Sequence, residues 1–210
     1  MKDSFSFVAA LHGNELTPYL ALKDMKIPVV LGNPYAAFKR ERYVDRDLNS
    51  SFGLDGETYE EKRARDLLDI IPKDSHVIDF HTFSCKSEPF AIIVDKEMLP
   101  LAKKTGIKKI VLMNHDIKKG GSLLSYRSGV SVEVGEHDTL ESYKLTQYVA
   151  RSLLGVSVDF EVEVFETFGV IEEDREFHNF VYNEEGFIPV LAGEVAYKPH
   201  GFYGLMAKKV

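Results

Sequence analysis

The chain is predicted to be an α/β protein, with a mixed central sheet flanked by helices over residues 1–155 and a small β-rich subdomain over residues 156–210. Three observations support this. Short apolar runs closed by turn residues alternate with segments of helical periodicity, as in a layered α/β domain. Two helix starts carry N-terminal capping signals, Thr58-x-x-Glu61 and Asp138-x-x-Glu141. After Gly155 the pattern changes to alternating apolar and acidic residues, the period-two signature of a half-exposed strand.

In chain order, Phe5 to Leu11 is an apolar run that reads as a buried strand ending at His12. Glu15 to Met25 has helical spacing through Leu16, Tyr19, Leu20 and Lys23, with Pro18 tolerated only near the start. Ile27 to Leu31 is the next strand, closed by Gly32-Asn33-Pro34. Tyr35 to Gly53 reads as a long irregular loop dense in charge, and long loops inside domains are usually functional. The helix begun at Thr58 carries Ala64, Leu67, Leu68 and Ile71 on one face and stops at Pro72. Strands follow at Val77 to Phe80, Phe90 to Val94 and Ile110 to Met113, with a helix near Glu97 to Thr105 before the last. Val130 to Val134 is a further strand, and Asp138 opens a helix to about Leu154. In the last quarter, Val156 to Phe168 alternates, Asn183 to Gly186 is a turn, and Tyr203 to Val210 is a closing strand.

Composition narrows the function. Hydrophobic residues make up 44% of the 210 positions, enough to bury a substantial core, so disorder is not the natural reading. The formal net charge of -7 argues against a nucleic-acid partner, and the pairs Lys103-Lys104 and Lys108-Lys109 read as solvated surface. Cys85 is the only cysteine, which excludes an intramolecular disulfide and suits a reducing compartment. The first residues lack the apolar core of a signal peptide, and no stretch approaches the roughly 20 apolar residues of a membrane span. A cytoplasmic protein without membrane contact is expected, and exposed strands in the last quarter leave homo-oligomerisation open.

The chemistry is concentrated in a few residues. His12-Gly-Asn-Glu15 puts two ligand types three residues apart at a strand-to-helix transition, where a tight turn can aim both into one cleft. His81 stands in the matching place after another strand, and strand ends border the ligand crevice of open α/β sheets. Asp79 either orients a ligand histidine or bonds nearby backbone. Glu133 is an isolated carboxylate at the end of an apolar run. Together these residues point to a metal-dependent hydrolase. Cys85 reads as a small packing residue, because metal-activated water needs no covalent nucleophile.

Five motifs in order, His12-Gly-Asn-Glu15, Gly32-Asn33-Pro34, Arg42-Tyr-Val-Asp-Arg-Asp-Leu-Asn49, Asp79-Phe-His81-Thr82 and Val132-Glu133-Val134-Gly135, resemble those of the succinylglutamate desuccinylase/aspartoacylase family, within the zinc carboxypeptidase-like superfamily. The resemblance implies one zinc ion per chain held by His12, Glu15 and His81. It implies a general base and proton shuttle at Glu133, oxyanion stabilisation by Arg42, and a hold on a substrate carboxylate by Asn49. A late tyrosine of the family is matched to Tyr203. The chain departs from the pattern at Ser50, where the family motif has an arginine; a hydroxyl replaces neither its charge nor its fork. Arg46 and Arg127 are candidates to supply that charge from another direction.

The expected activity is therefore zinc-dependent hydrolysis of a linear amide in a small N-acyl amino acid or related compound. Two alternatives stand beside it: a catalytically silent metal-containing binding or regulatory protein, suggested by Ser50, and a carboxypeptidase-like peptidase.

Overall fold

The structure, a computed structural model, describes residues 4–114, 117–155 and 161–210. Its strands, in chain order, are β1 (Phe5–Ala9), β2 (Val29–Leu31), β3 (His76–Phe83), β4 (Phe90–Ile93), β5 (Lys109–Leu112), β6 (Gly129–Glu136), β7 (Glu163–Val170), β8 (Ile188–Val190) and β9 (Leu205–Lys209). They form one sheet in the order β2-β1-β3-β6-β4-β5-β7-β9-β8. Pairing is parallel across β2, β1, β3 and β6, and again across β4, β5 and β7. The β4–β6, β7–β9 and β8–β9 pairs are antiparallel, so the sheet is mixed, as expected. The strands of the last quarter continue this sheet outward from β5.

Helices α1 (Thr17–Asp24), α4 (Leu99–Lys104) and α5 (Leu140–Leu154) cover one face. There Leu22, Leu101, Ala102 and Val149 pack on Phe7, Ile78, Phe80, Val130 and Val132. On the other face, α3 (Tyr59–Ile70) lays Ala64 and Leu67 against Val8 and Val77, together with Leu48, Phe52 and Leu123. Farther along that face, Val190, Leu191, Leu205 and Ala207 close over Phe83, Phe90, Val111 and Phe165. A cavity opens between these last two clusters. No helix among the described residues is long and apolar enough to cross a membrane.

Local chemistry accounts for where the elements depart from expectation. The start of the charged stretch after Gly32 is a helix, α2 (Pro34–Lys39), rather than a loop. Asn33 accepts from Ala36 N–H at 3.2 Å, Pro34 supplies a pre-set φ, and Arg40 in the left-handed region ends the helix. Helix α3 has the full capping box at Thr58 and Glu61. Helix α5 is capped by Thr139 instead of Asp138, because Asp138 has a φ of 54° and cannot take the extended N-cap conformation. Helix α1 begins at Thr17, two residues late, since Glu15 is held in a turn by its N–H on His12 C=O at 3.0 Å. Part of the alternating strand expected from Val156, residues 156–160, lies outside the described residues; the rest is β7.

The turn between β1 and α1 has no spare volume. A Cβ on Gly13 would meet Ala36 C at 2.2 Å, Ala37 N at 2.3 Å and Glu41 O at 2.5 Å, all backbone atoms. Gly13→Ala is therefore expected to destabilise the fold by about 1–3 kcal/mol, the usual range for overpacking. Urea denaturation checks this; a midpoint equal to wild type would mean that α2 moves away freely.

Candidate metal centre and active site

Past the end of β1 the chain turns sharply. Ala10 has a φ of 57°, while Gly32 N–H and Asn33 N–H donate to Ala9 C=O and Ala10 C=O at 2.8 Å each. Two residues later the His12–Glu15 turn is pinned from outside by Gly13 N–H on Arg42 C=O at 3.0 Å. Both side chains then point inward: His12 and Glu15 are 4% and 2% exposed despite their polarity. The third residue comes from the sheet itself. Strand periodicity puts Asp79 and His81 on one face, and the β3–β6 register sets Asp79 beside Ser131 and His81 beside Glu133.

The Glu15 carboxylate joins these parts. Its Oε1 lies 2.7 Å from His12 Nδ1, and its Oε2 lies 2.9 Å from His81 Nδ1 and accepts from Thr82 N–H at 3.1 Å. One ligand atom from each of His12, Glu15 and His81 lies within 4.8 Å of the others. Behind each ring stands an aspartate: Asp79 Oδ2 is 2.7 Å from His81 Nε2, and Asp47 Oδ1 is 3.2 Å from His12 Nε2. With a cation among the three side chains, the tautomers that donate Nε2–H to these aspartates would leave both Nδ1 atoms free to ligate it. Metal-binding histidines are oriented in this way. Of the two readings of Asp79, the ring-orienting one matches the contact, and Ser131 Oγ–H steadies it at 3.2 Å.

The charges are strongly coupled. Burial would raise the pKa of Glu15, but His12 and His81 against its two oxygens hold it well below the usual range. Burial likewise disfavours a charged His81, yet Asp79 and Glu15 hold its pKa well above that of a free imidazole. Glu133 goes the other way. Burial, opposed by His81 and reinforced by Glu15, Glu194 and Asp79, pushes it up to about 8. Its Oε2 is buried with no hydrogen-bond partner among the described residues. A divalent cation would relieve this crowding of carboxylates, and two imidazole nitrogens with one carboxylate oxygen are a suitable donor set for it.

Arg42 stands over the cluster, with Nη2 2.9 Å from His12 Nε2 and 3.2 Å from Asp47 Oδ2, and Nη1 3.4 Å from Glu15 Oε1. Its pKa is raised: burial works against the charge, and Glu15 and Asp47 outweigh it. The loop that carries Arg42 is organised by a buried carboxylate on α3. Glu60 accepts from Val44 N–H, Asp45 N–H and Arg46 N–H, and also from Asn33 Nδ2. Asp47 is thereby delivered to His12, Arg42 and Lys118, whose Nζ lies 2.9 Å away. Despite burial, these three groups hold the Asp47 pKa well below normal, His12 contributing most.

The ligand cluster opens onto a cavity of about 280 Å³. His12, Glu15, His81, Arg42, Asn49 and Glu133 all reach it, so six of the residues singled out in the sequence are brought together. Asn49 spends its Oδ1 on Leu123 N–H at 2.9 Å. The other three are not among the lining residues. Arg46 pairs with Glu61 at 2.8 Å, and Arg127 donates to the C=O groups of Leu68 and Ile71 at the end of α3. Tyr203 is tied by its backbone to Ile171. In each case a closer partner takes the group elsewhere. The tyrosine that does reach the cavity is Tyr197, buried, its pKa pushed well up by burial and by Glu133 and Glu194. Sequence reasoning missed Tyr197, Glu194, Asp47 and Lys118. Glu194 carried the same signal as Glu133, a single carboxylate after an apolar stretch, Ile188 to Ala192.

Comparison with known proteins agrees with this geometry. Residues 3–153 match the family described as Succinylglutamate desuccinylase/Aspartoacylase catalytic domain. A probable aspartoacylase of Prochlorococcus marinus subsp. pastoris is 30% identical over 61% of this chain and 52% of its own length. An N-acyl-aromatic-L-amino acid amidohydrolase (carboxylate-forming) of Xenopus tropicalis is 30% identical over 73% of this chain and 61% of its own. The chain thus spans about half the length of the aspartoacylase relatives it matches. Murine aminoacylase 3 superposes with a TM-score of 0.74 at 18% identity, covering 100% of this chain and 96% of that one. The succinylglutamate desuccinylase of Chromobacterium violaceum does so at 0.73 and 17%, covering 100% and 85%, and both share the fold. By its matched domain, its sheet and its ordered motifs, the chain belongs to the succinylglutamate desuccinylase/aspartoacylase family.

Proposed function

We propose that the protein is a zinc-dependent amidohydrolase that cleaves the amide bond of a small N-acyl amino acid or related compound. The observation that carries this reading is the convergence of His12, Glu15 and His81 in a cavity that also holds Glu133 and Arg42. Its relatives, a probable aspartoacylase and an N-acyl-aromatic-L-amino acid amidohydrolase, point the same way. Zinc held by His12, Glu15 and His81 would supply Lewis acidity for the amide carbonyl and for water.

The chain's own residues do the rest. Glu133, unpartnered at Oε2 and beside His81, takes the proton of the attacking water and returns it to the leaving amine nitrogen. The products are a carboxylate and a free amine. Arg42, poised over the ligand cluster, meets the negative charge that develops on the carbonyl oxygen. Burial among apolar walls limits competing water and strengthens both contacts. In this reading residues 1–155 hold the hydrolytic machinery, and the β-rich last quarter completes the cavity with Leu191, Glu194 and Tyr197. A cytoplasmic setting belongs to the same reading, with Cys85 as a buried free thiol.

Glu133→Gln is expected to lower turnover of the N-acyl amino acid substrate by about 10²–10⁴-fold, with zinc content by elemental analysis unchanged. Wild-type turnover in that variant would remove Glu133 from the chemistry. Asp79→Asn, which takes the anion from behind His81, is expected to weaken zinc binding about 10- to 100-fold in chelator competition. A pH effect follows from Glu133 in the chelator-treated protein. Between an ordinary glutamate pKa of about 4.3 and its folded value of about 8, the folded chain keeps a proton that the unfolded chain has lost. Its contribution to stability is whole below that window and lost as pH rises through it. The stability of wild type relative to Glu133→Gln should therefore fall from about pH 5 to about pH 8 in denaturant titrations; a flat difference would contradict the burial of this acid.

A further inference from the structure

The cavity has two walls of different chemistry, and strand register decides where the apolar one begins. His81 on β3 stands beside Glu133 on β6, and Asp79 beside Ser131. Antiparallel pairing sets Ile92 of β4 beside Ser131, and β5 continues the row with Val111 beside Ile92. Two residues farther, Val94 and Met113 extend the same face, with Met113 N–H on Ile93 C=O at 2.8 Å. At about 4.8 Å per strand, this floor runs about 10 Å from β6 to β5. It is polar at Glu133 and Ser131 and apolar from Ile92 outward. Leu191 and Ile117 join Ile92 and Met113 in one apolar cluster, and all four line the cavity. The strip also has an outlet, for Ile92, Met113 and Ile117 are half-buried and Val94 is 40% exposed.

Polar groups near the start of this strip are held by the protein itself. Ser131 Oγ–H donates to Asp79 at 3.2 Å, Thr82 Oγ1 lies 2.6 Å from His137 Nδ1, and Ser84 takes both oxygens of Glu194. The opposite wall is polar: Asn49, Ser122 and Ser125 line it, on segments joined by Leu123 N–H on Asn49 Oδ1 at 2.9 Å. An amide with a polar amine part and an aliphatic acyl part has the same division, with the scissile bond at the ligand cluster between them. A carboxylate at the far end of the acyl group would lose its water among Ile92, Met113 and Leu191, which is costly.

From this division we infer that the Ile92–Met113 strip is an acyl subsite for an unbranched aliphatic chain longer than acetyl and without a second carboxylate, resting on the amidohydrolase reading for the amide itself. Its test reads binding apart from turnover. The glycine amides of acetic, hexanoic, octanoic and adipic acid, with N-acetyl-L-norleucine, are titrated calorimetrically into zinc-loaded Glu133→Gln protein, alone and combined with Met113→Gln or Val94→Trp. A fully buried methylene tightens binding about fourfold, so the hexanoyl probe should bind about 10- to 100-fold tighter than the acetyl probe. The adipoyl probe, equal in length but ending in a carboxylate, should lose that gain. Met113→Gln should cut the hexanoyl-to-acetyl ratio, and Val94→Trp, at the exposed outlet, the octanoyl-to-hexanoyl ratio. N-acetyl-L-norleucine carries the same added carbons on the amine side and should gain less. No gain with chain length, no binding of any probe, a gain that both variants leave intact, an adipoyl probe as tight as the hexanoyl one, or an equal gain from norleucine overturns the inference. If wild-type protein cleaves none of the probes while the variant-sensitive gain holds, the hydrolytic reading falls and the aliphatic-chain assignment stands.

Discussion

Everything at the centre of this protein is organised around one buried anion. Glu15 is 2% exposed, and it remains ionised because two imidazoles, a backbone amide and a guanidinium surround it. Burying a carboxylate without such partners would cost several kcal/mol, so the fold is obliged to bring them together. The partners come from β1's exit turn, from β3 and from the Arg42 loop, which are distant in sequence. The requirement to satisfy one charge therefore fixes the relative placement of the sheet, the turn and the loop. Outer aspartates extend the same logic by one layer, with contacts running outward from Glu15 through His12 to Asp47 and on to Lys118.

A second buried carboxylate does for the backbone what Glu15 does for side chains. Glu60, fully buried in the first turn of α3, gathers the amides of residues 44–46 and the side chain of Asn33. A loop dense in charge would otherwise solvate and wander; here its backbone donors are satisfied by a helix that is itself capped by Thr58 and Glu61. Catalytic precision in such sites depends on supports of this kind, because a residue on an unsupported loop samples too many positions.

The legibility of these features in the sequence follows from their range. His12 and Glu15 were readable because their relation is local, and His81 and Glu133 because each ends an apolar strand pattern. Parallel pairing then put the two side by side, which periodicity alone does not show. Asp47 was hidden because its contact with His12 spans 35 residues and its neighbours in sequence are equally charged. Arg46 and Arg127 illustrate the converse: a guanidinium in the sequence does not reveal which carboxylate or carbonyl claims it, and α3 claimed both. Tyr203 and Tyr197 lie six positions apart in an aromatic-rich segment, and only the 3₁₀ turn at Val195–His200 decides which one faces inward. The α2 helix escaped notice because it is short and its stop signal is an arginine in a conformation usually left to glycine.

The way the last quarter is attached has its own consequence. Glu194 clasps Ser84, just beyond β3, through both the Ser84 N–H and the Ser84 hydroxyl at 2.8 Å each, and this seats the Leu191–Tyr197 wall opposite the histidines. The His12, Glu15 and His81 cluster draws on residues no later than 81, none of them from that wall. The two halves of the cavity are therefore separable in evolutionary terms. Insertions, deletions or resculpting between residues 170 and 205 can reshape the cavity without touching the His12, Glu15 and His81 cluster.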